Sequence, residues 1–174
     1  MRVTPAWDPF VRTIHWSVAV LVVIELVNEA GANPWHRYLG YAAGVLVIAR
    51  LAWGFGNVGS ARLAAMATAA GGAPSYLRGL LSGGKAPPSV AHTPAGAAMA
   101  FILWGLLLLV SITGWMHGLD TFWGEAWLQQ LHAWLAYALA ACAVVHVAAA
   151  LLTSRLHGVN LVKGMVTGGK ADPT

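Results

Sequence analysis

Charge is what this sequence has least of. Only 9% of its 174 residues are Asp, Glu, Lys or Arg, against about 25% in soluble domains, so water does not face most of the surface. Disorder, which needs high charge and little apolar mass, is excluded on the same ground. The single cysteine, Cys142, rules out an internal disulfide framework, a thiolate iron–sulfur cluster and a cysteine-based zinc site. It sits in an apolar run and is read as packing. Alternation with period two is missing too, and so are internal repeats and low-complexity tracts. The intramembrane acids and broken helices that transporter folds use are nearly absent.

What is present is apolar mass. The chain is 58% hydrophobic, with a mean hydropathy of +0.65. A helix needs about 20 apolar residues to cross a bilayer, and four stretches reach or approach that length: Thr13 to Ala30, His36 to Phe55, Ala95 to Met116 and Ala126 to Leu152. Four spans cannot close a barrel, so the expected fold is all-α, an integral membrane four-helix bundle with residues 1–174 as one membrane domain. Thr93 and Pro94 supply an N-cap and a first helical residue for the third span. The connections around Gly31 to Trp35 and His117 to Glu125 are short and make those span pairs antiparallel neighbours. The longest connection, roughly Gly56 to His92, is rich in Gly, Pro and Ala. Within it, Pro74 to Leu81 is read either as one or two turns on the headgroups or as part of a solvated linker.

Basic residues fix the expected orientation, because cytoplasmic flanks carry the excess of Lys and Arg. Arg2, Arg12, Arg50, Arg62, Arg78, Lys85, Arg155, Lys163 and Lys170 fall on one side, whereas Arg37 stands alone on the other with Glu29, Asp120 and Glu125. Both termini and the 56–92 loop are therefore expected in the cytoplasm. The net charge of +4 then reports topology, and no nucleic-acid partner is implied. Trp7, Trp16, Trp35, Trp53, Trp115, Trp123 and Trp127 gather near span ends, as an interfacial belt does. Arg2, Arg12, the following apolar stretch and Ala30-Gly31-Ala32 also resemble a cleavable signal peptide, but His15, Glu25 and Glu29 argue against cleavage.

Histidine carries the chemistry. Of seven in the chain, His15, His36, His132 and His146 lie within or at the edge of the spans, where an ionisable group is costly and presumed functional. His132 and His146 are 14 residues apart, which places them on one helix face about 21 Å apart along the axis. Span direction pairs His15 with His146 at the inner level and His36 with His132 at the outer one. Two imidazoles at one depth, from different helices, suit the two axial positions of haem iron. Zinc is less well served, since two histidines leave a tetrahedral shell half empty.

Between the two histidines the same face carries Ala136, Leu139 and Ala143, mostly small residues that leave room for a ring. Gly40 and Gly44 form a small-xxx-small pair that suits close approach of a helix or a porphyrin. Arg50 is 14 residues beyond His36 on its own face, and Arg12 is three before His15. Both, and less strongly Arg37, are read as partners of haem propionates, for which a guanidinium fork is well shaped; the competing reading is anchors that snorkel to the headgroups. His117 competes with His36 and His132 as a ligand but reads better as a loop residue. His92 and His157 are placed at the interface. Glu25, near the outer end of the first span, is read as a snorkelling carboxylate, with proton handling near a quinone as the alternative.

The strings Trp7-Asp8-Pro9, Arg12-Thr13-Ile14-His15-Trp16, His36-Arg37-Tyr38-Leu39-Gly40-Tyr41, Arg50-Leu51-Ala52-Trp53-Gly54-Phe55 and His92-Thr93-Pro94-Ala95-Gly96 come in a fixed order. Thr113-Gly114-Trp115, Leu131-His132, His146 and Asn160-Leu161-Val162 through Thr167-Gly168 follow. In this order and spacing the chain resembles the prokaryotic cytochrome b561 family, which includes the di-haem cytochrome b subunit of nickel–iron hydrogenases. The resemblance implies two haem b groups ligated by His15, His36, His132 and His146. It implies electron transport in a bacterial inner membrane, between a quinone or quinol and a redox partner at the periplasmic face. That partner is expected to be a c-type cytochrome, or else a hydrogenase or dehydrogenase. Hydrogenase subunits of the family usually carry further spans or extensions, which favours a stand-alone cytochrome or one paired with a c-type cytochrome. The family also allows a superoxide oxidase that reduces quinone. No residues for bond-making catalysis are visible, so enzyme activity beyond quinone oxidoreduction stays open.

Overall fold

The first helix begins where a capping side chain allows it, ahead of the apolar run. Asp8 accepts hydrogen bonds from the backbone N–H of Phe10 at 2.8 Å and of Val11 at 3.3 Å, and Pro9 takes the first helical position. Helix α1 thus spans Pro9–Val27, four residues ahead of the hydropathy-based start at Thr13. The structure is a computed structural model describing residues 8–28, 34–56, 62–82, 93–157 and 160–168, the side chains of 156 and 157 excepted. Arg2, Trp7, Glu29, the Ala30-Gly31-Ala32 stretch, Lys85, His92, Lys170 and the side chain of His157 lie outside the described residues.

Helix α2 covers Pro34–Gly56. The Gly56 to His92 connection then contains two helices, α3 (Leu63–Gly71) and α4 (Ala73–Leu81). The first was not expected, because nine residues are too few to register as a span, yet Ala, Leu and Met are strong helix formers. Both pack on α5 (Pro94–Met116) and bury Met66 and Ala73, so this segment is more than a linker. Thr93 caps α5 by accepting from Gly96 N–H at 3.0 Å. A 3-10 turn at Asp120–Phe122 leads to α6 (Ala126–His157), which outruns the expected end at Leu152. A short α7 (Leu161–Thr167) closes the described chain.

Four of these helices, α1, α2, α5 and α6, are long and apolar enough to cross a membrane, so the fold is an all-helical membrane bundle. Val20, Val23, Val45, Ile48, Ile102, Leu109 and Val144 point outward, as apolar side chains do when lipid is the solvent. In lipid, helices associate through close packing rather than water exclusion. The order of packing is α1 on α2, α2 on α5 and α5 on α6. A Cβ on Gly44 would lie 2.8 Å from Ser111 Oγ, and Ser111 donates to the Gly40 carbonyl at 3.2 Å. Gly44 therefore serves a helix contact, whereas a Cβ on Gly40 would meet nothing within 4 Å.

At the end of the bundle where α1 starts, three elements are clasped together. Trp53 Nε1 donates to Asp8 Oδ2 at 3.4 Å, and the Phe10 and Trp53 rings lie 4.4 Å apart. Arg12 donates to the Val166 carbonyl at 2.7 Å and Trp16 to the Met165 carbonyl at 3.3 Å, so α1 holds the last turn of α7. Gly168 ends that turn with φ 78°, and a side chain there would collide with the Arg12 guanidinium.

Replacing Gly44 by Ala is expected to force α2 from α5 at a cost of about 1–3 kcal/mol. Adding Ser111→Ala should recover part of that loss. Thermal unfolding of the two single variants and the double variant in detergent checks the coupling.

Candidate functional site

Helix α6 supplies two histidines to one face, and the packing order decides what they meet. α6 packs on α5 and α7, and neither α1 nor α2 is among the helices closely packed on it. Side chains must therefore reach across the space between α6 and the α1–α2 pair. At the clasped end the rings of His15 (α1) and His146 (α6) lie 6.3 Å apart at 57°. At the opposite end the rings of His36 (α2) and His132 (α6) lie 6.2 Å apart at 79°. Both separations are wider than face-to-face stacking and lie within the range of tilted or edge-to-face ring contact. Two imidazole nitrogens, each about 2 Å from a shared metal, would set the ring centres about 6 Å apart, and an axial pair on one iron needs that spacing.

Among the described residues no set of three or more His, Cys, Asp or Glu side chains converges for a metal ion. His15 and His146 meet as a pair, and His36 faces His132 with His117 on its flank; two facing imidazoles are a donor set that fits a macrocycle filling the remaining positions and does not fit a bare tetrahedral ion. Halfway between His132 and His146 sits Leu139, buried with Ala43, Val47 and Leu107. This cluster separates the two levels with hydrocarbon.

Hydrogen bonds at the His36–His132 level fix how the rings present themselves. Thr113 Oγ1 lies 2.9 Å from the Leu109 carbonyl, 3.0 Å from the Val110 carbonyl and 2.8 Å from His132 Nδ1. The hydroxyl has one proton, and where it goes to either carbonyl the oxygen accepts from His132 Nδ1–H. The lone pair of His132 is then on Nε2, the tautomer a ligating histidine needs. Gly114 leaves the ring its place, since a Cβ there would lie 3.3 Å from His132 Cε1.

Across from it, Glu25 on α1 pairs with His36 Nδ1. Glu25 is thus no snorkelling carboxylate: its side chain turns toward the bundle and is 15% exposed. The sequence held a usable signal in the short connection between α1 and α2, which returns the chain beside its own last turn. Thr113 was quoted only as part of a string, and nothing local marked its bond to a residue 19 positions later.

The arginines occupy distinct settings. Arg50 is 3% exposed, with Met66 Sδ at 3.4 Å from Nη2, the Trp104 ring centre 5.0 Å from Cζ and the field of Asp8 acting on it. Arg12 holds the Val166 carbonyl, and its Nε is buried without a hydrogen-bond partner. Arg37 is exposed and lies beside Gly118, its Nη1 3.7 Å from where a Cβ would stand. His117 is not a bystander in the loop, because its ring lies 5.4 Å from that of His132 at 88°.

Among known families, the model described as prokaryotic cytochrome b561 matches residues 6–168. Neither the curated proteins nor the solved structures give a match.

Thr113→Val leaves His132 Nδ1 without its acceptor while preserving shape. Loss of such a supporting bond typically costs 10–100-fold in affinity for the group the histidine ligates. The variant is expected to release bound pigment earlier under chemical denaturation, followed by absorbance, than Ser111→Ala, which removes a hydroxyl away from the histidine.

Proposed function

Because the chain belongs to the prokaryotic cytochrome b561 family, whose members carry electrons across membranes through haem b, we propose that it holds two haems. They carry electrons between a quinone pool and a periplasmic redox partner such as a c-type cytochrome. The observation that supports this reading is the meeting of imidazoles in two pairs, 6.3 Å and 6.2 Å apart, at two heights of one bundle. His15 and His146 hold one haem, and His36 and His132 hold the other. Held by these histidines, haem iron would supply single-electron exchange.

Each residue then has a part. The histidines fix the iron positions, and Thr113 holds His132 in its ligating tautomer. Leu139, Val47 and Leu107 keep water out of the space between levels. Arg50 offers a buried guanidinium whose donor fork suits a propionate of the haem held by His15 and His146. Arg12, with its Nε unpaired, is a further donor there, and Arg37 serves the other level from the surface. The basic residues Arg12, Arg50, Arg62, Arg78, Arg155 and Lys163 support a multi-pass arrangement in the bacterial inner membrane. Both termini and the α3–α4 segment are cytoplasmic, which makes the His15–His146 level the inner one.

A second reading, oxidation of superoxide to dioxygen at the periplasmic face with reduction of quinone, draws on Arg37 beside Gly118 and His117 beside His132. These offer an anion a cationic approach to the outer level. Comparing haem reduction by superoxide with reduction by a c-type cytochrome separates the two.

Pyridine haemochrome against protein mass is expected to give two haems per chain. His146→Ala should leave one, the outer, with a single midpoint in redox titration. Retention of both haems would refute the pairing, and a colourless wild-type protein from haem-sufficient cells would end the reading.

A further inference from the structure

The two levels are built alike in their ligands and unlike in what stands behind them. At the outer level, Glu25 Oε2 lies against His36 Nδ1, and Glu25 Oε1 is buried without a hydrogen-bond partner. A carboxylate can only accept, so His36 Nδ1 carries the proton and Nε2 the lone pair. At the inner level, His15 Nδ1 is buried without a hydrogen-bond partner, as His36 Nδ1 is, but among the described residues no carboxylate is paired with it as Glu25 is with His36.

A carboxylate in a membrane helix is costly unless a positive charge compensates it. Among the described residues, the group that Glu25 touches is His36. We propose that Glu25 is a positioning residue for the outer haem: it fixes the tautomer of His36, strengthens that ligand as an electron donor and makes the outer haem the lower-potential one of the two.

The inference rests on the di-haem reading and extends it to the direction of flow. Oxidised haem iron bears one more positive charge than reduced. A carboxylate hydrogen-bonded through an imidazole stabilises the oxidised form more, whereas the Thr113 hydroxyl behind His132 is neutral and does so less. This asymmetry points one way. An electron arriving at the periplasmic face runs downhill from the His36–His132 level to the His15–His146 level, so the structure assigns the outer haem as entry and the inner one as the site that reduces the acceptor.

The experiment is a potentiometric titration of the purified wild-type protein, Glu25→Gln and Glu25→Asp, with haem content measured on each. The Gln variant keeps an acceptor oxygen and loses the charge. It is expected to retain two haems and raise the lower midpoint by about tenfold in the reduction equilibrium, ~59 mV for one electron, leaving the upper midpoint in place. Glu25→Asp, which keeps the charge, should stay closer to the wild type. If the Gln variant drops the outer haem and the Asp variant keeps it, the carboxylate is shown as the support of His36. The proposal is overturned if both midpoints stay unmoved with two haems bound, if the lower one falls, if only the upper one shifts, or if both variants lose the outer haem. Absence of haem from the wild type would sink the di-haem reading instead, and haem content tells the two failures apart.

Discussion

Helix α6 must reach two helices that are not among those closely packed on it. Its backbone lies close to α5, while the partners of its histidines stand on α1 and α2. The imidazoles face one another across that space at both ends, and at mid-height Leu139 fills it against Ala43 and Val47. Much of the remaining architecture serves to keep that spacing. Gly44 and Ser111 set α2 against α5, Leu139 props α6 at mid-height, and the Asp8, Trp53 and Arg12 contacts hold the clasped end.

The two ends are supported by different means. At the clasped end, support comes from backbone: the carbonyls of the last turn of α7 accept from Arg12 and Trp16. At the opposite end it comes from side chains, with Thr113 and Glu25 each taking the outer nitrogen of one histidine. A ring held by a directed hydrogen bond keeps its rotation, while one held by packing keeps mainly its position. The geometry therefore treats orientation at the His36–His132 level and placement at the His15–His146 level as separate problems.

Much of this was legible in the sequence because helices convert spacing into geometry without help from distant parts of the chain. The interval from His132 to His146 states a face and a height difference by itself, and Thr93-Pro94 states where α5 begins. What escaped was of two kinds. α3 is too short to show as an apolar run, and its stability comes from packing Met66 on neighbours, which no local pattern records. Glu25, Thr113 and Arg12 have partners that depend on helix rotation and on a chain reversal. Arg12 meets a carbonyl 154 residues later, and its snorkelling and propionate readings could not anticipate that bond. The competition between His117 and a loop role was likewise open until the rings were placed 5.4 Å from His132.

Each histidine pair borrows one member from α6, the last of the long helices to leave the ribosome. Until that helix enters the bilayer, His15 and His36 are half-sites, and the three earlier spans form a scaffold with nothing to grip. Assembly of both histidine pairs thus waits on a single insertion event, after which Arg12 can hold the α7 turn. A nascent chain arrested before α6 carries neither pair.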